Sequence, residues 1–192
     1  GRIVHVPVTG PLGERVDGFY GLSGDGQRAF IEMAAASGLA LVAPSQRNPL
    51  KTTSWGTGEL ICHALDVGVK HISIGIGGSA TNDAGLGMLQ ALGFHFSDNK
   101  GKEVGTGRGE ILIKVAHIDS TCVHPALNSC RFTVACDVQN PFYGPEGAAY
   151  VFAPQKGADR EMVEALDAGL QNFAEVIRHT TGKDISHHPG AG

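Results

Sequence analysis

The sequence lacks long apolar runs, clustered positive charge and paired cysteine motifs, and each absence argues against a class of protein. No stretch approaches the ~18 apolar residues of a membrane-spanning helix, so we expect no membrane partner. Lysine and arginine number 15 against 19 acidic residues and are scattered, which argues against nucleic acid as a partner. The N-terminal residues show no signal-peptide pattern, and we therefore expect a cytoplasmic location.

Residues with metal-binding or nucleophilic chemistry are few and poorly spaced for a site. The four cysteines, Cys62, Cys122, Cys130 and Cys136, form no C-x-x-C pair, which favours reduced packing thiols over disulfides or zinc. The nine histidines show no H-E-x-x-H spacing. Neither G-x-S-x-G nor G-x-x-x-x-G-K-[ST] occurs, so serine-hydrolase and P-loop interpretations fail.

Glycine, by contrast, is abundant, with 28 residues clustered where the chain changes direction. Such clusters indicate loops whose shape is set by the backbone, and these loops suit small polar ligands. The length of 192 residues and the 42% hydrophobic content fit one domain with a substantial core.

The hydrophobic pattern predicts an α/β fold, a mixed parallel and antiparallel sheet with flanking helices in a single domain. Alternating residues over 2–8, 16–22 and 29–33 predict an antiparallel meander, a candidate subregion spanning 1–33. Further strands are predicted over 70–76, 94–96 and 131–138, the last of them buried. Helical spacing predicts helices that begin near 55, over 80–92 and over 158–181.

The most informative stretch is the glycine-rich corner between the strand at 70–76 and the following helix. Glycines let the backbone approach a ligand, and the free N–H groups of a helix start attract an anion. Residues proposed here for substrate or phosphate binding are Gly77, Gly78, Ser79, Thr81 and Asn82. The alternative is purely structural, since polar side chains also cap helices and Asp83 suits the first turn of any helix.

The same corner also satisfies a dinucleotide-binding pattern. Gly75, Gly77 and Ala80 match G-x-G-x-x-[GA], and Asp98 lies near the offset of a ribose-binding carboxylate. Against this stand the antiparallel meander, the lack of a second βαβ half, and the charge of Asp83, which would oppose a bare pyrophosphate. A Mg2+ ion or a substrate hydroxyl would make that carboxylate easier to explain.

Three other stretches carry polar candidates. Asp137 and Asn140 follow a predicted strand end, where ligands of α/β sheets bind, although an Asx-type turn is the simpler explanation. Lys156 lies beside a glycine in front of a helix and suits a phosphate or carboxylate, unless it is only a surface charge. Arg47 and Thr57 belong to a long polar loop and the helix start after it, where Thr57 also suits a cap.

Taken together, these stretches resemble the bacterial glycerate kinase family in order and spacing. The matching segments are 32–39 (EMAAASGL), 48–60 (NPLKTTSWGTGEL), 74–85 (IGIGGSATNDAG), 135–141 (ACDVQNP), 144–149 (GPEGAA) and 152–158 (FAPQKGA). The resemblance covers essentially the whole chain. Four ordered polar signatures are far more specific than one glycine motif.

The resemblance implies ATP-dependent, Mg2+-assisted phosphorylation of D-glycerate, on the 2- or the 3-hydroxyl, by a two-domain α/β enzyme. Family members are about twice as long and carry an N-terminal Asp-Ser-Phe-Lys type segment and a C-terminal Thr-Gly-Glu-Gly type segment, which are absent here. We therefore expect residues 1–192 to be the central, inserted domain, inactive without the second domain.

Within that expectation, Asp83, Asp137 and Lys156 are predicted as catalytic, and Mg2+ is predicted near Asp83 or Asp137. Substrate or phosphate binding is predicted for the corner residues together with Arg47, Thr57 and Asn140. Two alternatives stay open, an NAD(P)-binding oxidoreductase module and a non-catalytic domain that binds small organic acids.

Overall fold

A computed structural model describes residues 1–192 as an α/β structure. Its strands are β1 Arg2–Thr9, β2 Arg15–Leu22, β3 Arg28–Glu32, β4 His71–Gly75, β5 His95–Ser97, β6 His117–Asp119 and β7 Arg131–Ala135. Its α-helices are α1 Ala34–Ser37, α2 Trp55–Val67, α3 Leu86–Ala91, α4 Ala148–Phe152 and α5 Arg160–Thr181. Short 3-10 helices occur between them.

The main sheet has five strands in the order β1-β2-β3-β4-β7. β1, β2 and β3 pair antiparallel, whereas β3, β4 and β7 run parallel. The predicted mixed sheet is therefore confirmed, and the N-terminal meander is continuous with it. β5 and β6 form a separate antiparallel pair.

Two hydrophobic clusters hold the structure together. The first joins one face of the sheet to α2 through residues such as Ile72, Leu60 and Tyr20. The second surrounds α5 and includes Leu166, Leu170 and Phe173. Phe94 packs against both clusters, which connects the sheet to the α5 layer.

α5 follows the predicted helical spacing closely. It begins after Asp159, whose side chain accepts a hydrogen bond from the Met162 amide at 2.9 Å, and it ends at Gly182 in the left-handed region. This is the expected pairing of an N-cap carboxylate with a C-terminal glycine. The buried face of the helix carries the apolar residues of the second cluster.

The helix predicted over 80–92 is much shorter, because α3 begins only at Leu86. Residues before it form an extended series of turns, in which Gly78, Ala84 and Gly85 all have positive φ. A helix cannot run through left-handed residues, so the corner is a loop of about ten residues rather than a tight strand-to-helix turn. This leaves more backbone exposed next to β4 than the sequence suggested.

The strand predicted over 131–138 also differs. β7 ends at Ala135, and every one of its five residues is exposed, so the prediction that it is buried was wrong. Its apolar composition identified it as a strand. Burial depends on what packs beside it, and β7 lies at the edge of the sheet with a partner on one side only.

Candidate functional site

A cavity of about 310 Å³ lies where the chain leaves β4 and β7. Because β4 and β7 are parallel, their carboxyl ends meet at one edge of the sheet, the usual ligand position in α/β folds. Eight residues predicted from the sequence line this cavity: Gly77, Gly78, Ser79, Thr81, Asn82, Asp83, Asp137 and Lys156. The fold thus brings together stretches up to 79 residues apart in sequence.

Lys156 is the most unusual of these residues, because its ammonium group is buried. Its side chain is 7% exposed, and Nζ donates hydrogen bonds to Ser79 Oγ at 2.9 Å and to the Thr81 carbonyl oxygen at 2.5 Å. Burial lowers the pKa of Lys156 to about 8, while the charge of Asp83 acts in the opposite direction. These two hydrogen bonds hold the glycine corner in place. The third N–H of the Lys156 ammonium group remains available for a ligand.

Asp83 is fully buried and its carboxylate is extensively hydrogen-bonded. Oδ2 accepts from the Ser54 amide at 2.9 Å, the Ser54 hydroxyl at 2.8 Å and the Gly87 amide at 3.3 Å, and Oδ1 accepts from the Gly85 amide at 3.2 Å. Burial raises the pKa of Asp83, and these hydrogen bonds oppose the rise. The arrangement holds the starts of α2 and α3 together and leaves little of the carboxylate free for metal binding.

Asn82 borders the same cavity and carries an unsatisfied polar atom. Its Nδ2 donates to the Ala148 carbonyl oxygen at 3.3 Å, whereas its buried Oδ1 has no hydrogen-bond partner. An orphaned acceptor of this kind is uncommon in folded proteins. It fits a site that is completed by another group.

Asp137 differs from Asp83 because it is exposed at the mouth of the cavity. Nowhere in residues 1–192 do three or more His, Cys, Asp or Glu side chains gather into a group able to hold a metal ion. Of the two carboxylates predicted for a metal, Asp137 is the exposed one, whereas Asp83 is buried and already accepts four hydrogen bonds.

Three predicted residues do not border the cavity. Thr57 is buried, and its hydroxyl lies 2.8 Å from the Ser37 hydroxyl, an internal contact between α1 and α2. Asn140 donates from Nδ2 to the Glu146 carbonyl oxygen at 2.8 Å, which fixes the loop after β7. Arg47 packs its backbone against Gly157, beside the lysine rather than within the cavity.

Sequence reasoning also missed residues that border the cavity. Met33, Phe142, Phe152 and Gln155 contribute to its wall. Met33, Phe152 and Gln155 lie inside segments that match the family, so the available signal was membership in those segments. Phe142 lies outside them, and an apolar residue type alone does not separate a cavity wall from a core.

The dinucleotide interpretation is not favoured by the structure. Asp98, the predicted ribose carboxylate, closes its own turn, accepting from the Lys100 amide at 2.8 Å and the Lys102 amide at 3.0 Å. It lies after β5 and does not border the cavity. β4 also leads into a loop rather than directly into a helix, so the fingerprint lacks its structural context.

The chain is an α/β protein with a small cavity at the carboxyl ends of two parallel strands and a buried lysine in the cavity lining. The sequence profile of the glycerate kinase family matches residues 1–192. The chain therefore belongs to the glycerate kinase family.

Individual relatives agree with that assignment. The chain is 54% identical over its full length to a glycerate kinase from Haemophilus influenzae and 54% identical over 98% of its length to a glycerate 2-kinase from Escherichia coli. A crystal structure of a protein described as glycerate kinase 2 from Salmonella typhimurium LT2 superposes on all of the chain with a TM-score of 0.97 and 59% identity.

The relatives are longer than this chain. The chain covers 50% of the Haemophilus protein, 49% of the Escherichia protein and 51% of the Salmonella chain. It therefore spans about half the length of the relatives it matches. Among the helices of the chain, none combines the length and apolarity required to cross a bilayer.

Proposed function

We propose that this chain forms one wall of the active site of an ATP-dependent D-glycerate kinase. The observation that carries the proposal is the buried Lys156 ammonium group, fixed to the glycine corner at the carboxyl ends of two parallel strands. Asp83 offsets part of the desolvation of this cation, and an anionic ligand in the cavity would offset more of it. Glycerate supplies a carboxylate and the reaction supplies phosphate oxygens.

The cavity suits such an acceptor in size and chemistry. Its volume of about 310 Å³ holds a three-carbon acid with room for a transferred phosphoryl group. Gly77 and Gly78 line the cavity with backbone rather than side chains, and N–H groups in such turns favour a negatively charged ligand. Phosphoryl transfer depends mainly on such positioning and charge neutralisation.

We include ATP and Mg2+ in this proposal because the chain belongs to a kinase family. When bound, Mg2+ neutralises phosphate charge, and Asp137 is the carboxylate that would help to hold it. In our proposal Lys156 compensates charge on the acceptor side, and Asp83 keeps the corner in shape. A kinase that depends on ATP would act in the cytoplasm.

A chimera tests the function directly. In it, this chain replaces its counterpart in the Salmonella typhimurium relative, of which it covers 51%. We expect ADP formation that depends on D-glycerate, and phosphorus NMR of the product would identify the 2- or the 3-phosphate. The isolated 192-residue chain should show no turnover, because it lacks half of the cleft.

Lys156→Met in the chimera should lower kcat/KM for D-glycerate by roughly 100-fold, as loss of a charge-stabilising group does in other active sites. Lys100→Met is the matched control, since Lys100 is exposed on the turn after β5. Activity within about threefold of the parent chimera in Lys156→Met would refute the role assigned to the lysine.

A further inference from the structure

The free edge of β7 is the least protected surface of the sheet. All five of its residues are exposed, and its outer edge has no partner strand. The strand contains no proline, and its one charged residue, Arg131, lies at its first position and leaves residues 132–135 without a protecting charge. β1, at the other edge, does carry such protection, since Pro7 has no N–H to offer a further strand.

The hydrophobic layer beneath the sheet continues into β7 without a cover. Phe132 and Val134 are in register with Ile72 and Ile74 of β4, so all four side chains lie on the same face. Ile72 and Ile74 are buried at 0% and 7% exposure, yet Phe132 and Val134 are 38% and 54% exposed. The α-helical layer therefore ends at β4, although the apolar face does not.

The opposite face of the parallel strands is also bare. Phe30 on β3 is 53% exposed and points away from the α2 side, where its neighbours Ala29 and Ile31 are buried. Parallel strands are found almost only with both faces covered, because their crossovers place helices on each side. Three parallel strands with one open face and one open edge are thus an unfinished structure.

We infer that β7 is an internal strand of the parent protein, paired along its free edge with a strand from the half of the polypeptide that lies outside these 192 residues. That half has the right size, since the relatives are about twice as long as the chain. The same half covers Phe132, Val134 and Phe30.

The position of β7 gives this pairing a consequence for the site. The strand runs directly into the loop that carries Asp137, and Asp137 borders the cavity. A strand added to β7 would lead toward this loop, beside Ala191 and Gly192, which already line the cavity there. The inference concerns the architecture alone and does not require the substrate to be glycerate.

Hydrogen exchange on the isolated chain and on the Salmonella chimera tests the pairing. In the chimera, the β7 amides that point away from β4 should exchange at least about 10-fold more slowly than in the isolated chain, because each gains a backbone partner. Equal rates in the two proteins would overturn the inference. So would a chimera that fails to fold, because a chain with 59% identity and a TM-score of 0.97 should offer the same interface.

A pair of substitutions separates this interface from a general effect of surface charge. Val134→Lys should lower the melting temperature of the chimera by roughly 5 °C or more and leave that of the isolated chain within about 1 °C. Ile3→Lys is the matched control, because Ile3 is 58% exposed but lies on β1 at the far edge. Equal effects of the two substitutions in the chimera would contradict the pairing.

Light scattering tests the alternative that the free edge of β7 pairs with a second copy of the same protein. If the chimera dimerises through β7, and Val134→Lys restores the monomer without destabilising it, β7 is a subunit interface and the inference is wrong. A monomeric chimera with slow exchange in β7 supports it.

Discussion

Replacing Lys156 by methionine should change how the stability of the chain depends on pH. The pKa of Lys156 is about 8 in the folded protein, against an ordinary value of 10.5, because its ammonium group is buried. At a pH between these two pKa values, Lys156 is protonated in the unfolded chain but not in the folded chain. The free energy of unfolding therefore rises with pH across this window.

The size of the effect follows from the difference between the two pKa values. The difference between 10.5 and about 8, at ~1.4 kcal/mol for each pH unit, corresponds to ~3 kcal/mol. Below pH 8 the folded wild type carries this whole cost, and above 10.5 it carries none. The methionine variant has no such group, so its contribution at position 156 does not change with pH.

The lost hydrogen bonds do not obscure this signal. Methionine leaves Ser79 Oγ and the Thr81 carbonyl oxygen without their Lys156 partner, at a cost of ~1 kcal/mol for each. That cost is largely independent of pH. It therefore shifts the variant's whole curve downward but does not alter its slope relative to the wild type.

Urea denaturation at pH values from 7 to 10.5 measures the difference between the two proteins. We expect the stability of Lys156→Met relative to the wild type to fall by ~3 kcal/mol from pH 7 to pH 10.5, most of it above pH 8. Lys100→Met, at an exposed position, controls for the loss of one lysine charge. Parallel curves for the wild type and Lys156→Met would show that the ammonium group is not buried as described.

Three further predictions use the same chain. Asp83→Ala should lower the melting temperature by roughly 6 °C or more, because it leaves the buried Ser54 and Gly87 amides and the part-buried Gly85 amide unpaired at ~1 kcal/mol or more each, and an unchanged calorimetric transition would contradict this. Gly56→Ala should cost ~1–3 kcal/mol in urea denaturation, since its new Cβ would meet the Thr9 carbonyl oxygen, while Gly77→Ala, which meets no atom within 4 Å, should be tolerated. In the chimera, Asp137→Asn should raise the Mg2+ concentration needed for half-maximal activity by roughly 10-fold with little change in melting temperature; an unchanged Mg2+ requirement would remove Asp137 from the metal site.

Local patterns predicted much of the fold correctly. The spacing of apolar residues identified α5 and α2, and alternation identified the meander that becomes β1, β2 and β3. These signals succeed because each of these elements buries one face in one of the two hydrophobic clusters. The mixed direction of the sheet followed from the order of strands and helices along the chain.

The corner before α3 was harder to predict. The sequence contains the glycines and Asp83, but not the partner that makes Asp83 a structural residue. That partner is Ser54, 29 residues away, which donates two hydrogen bonds to the carboxylate. Contacts at such separation exist only once the sheet has formed.

By itself, the sequence determined the family and the α/β class, and it supplied candidate positions for a ligand site. Those properties rest on residue types and spacings, which need no partner in space. The tertiary structure decided which candidates converge, because it placed Lys156 against Ser79 and left Thr57 inside the core. It also decided that β7, apolar enough for a buried strand, lies at an open edge, since burial depends on neighbouring chain and not on composition.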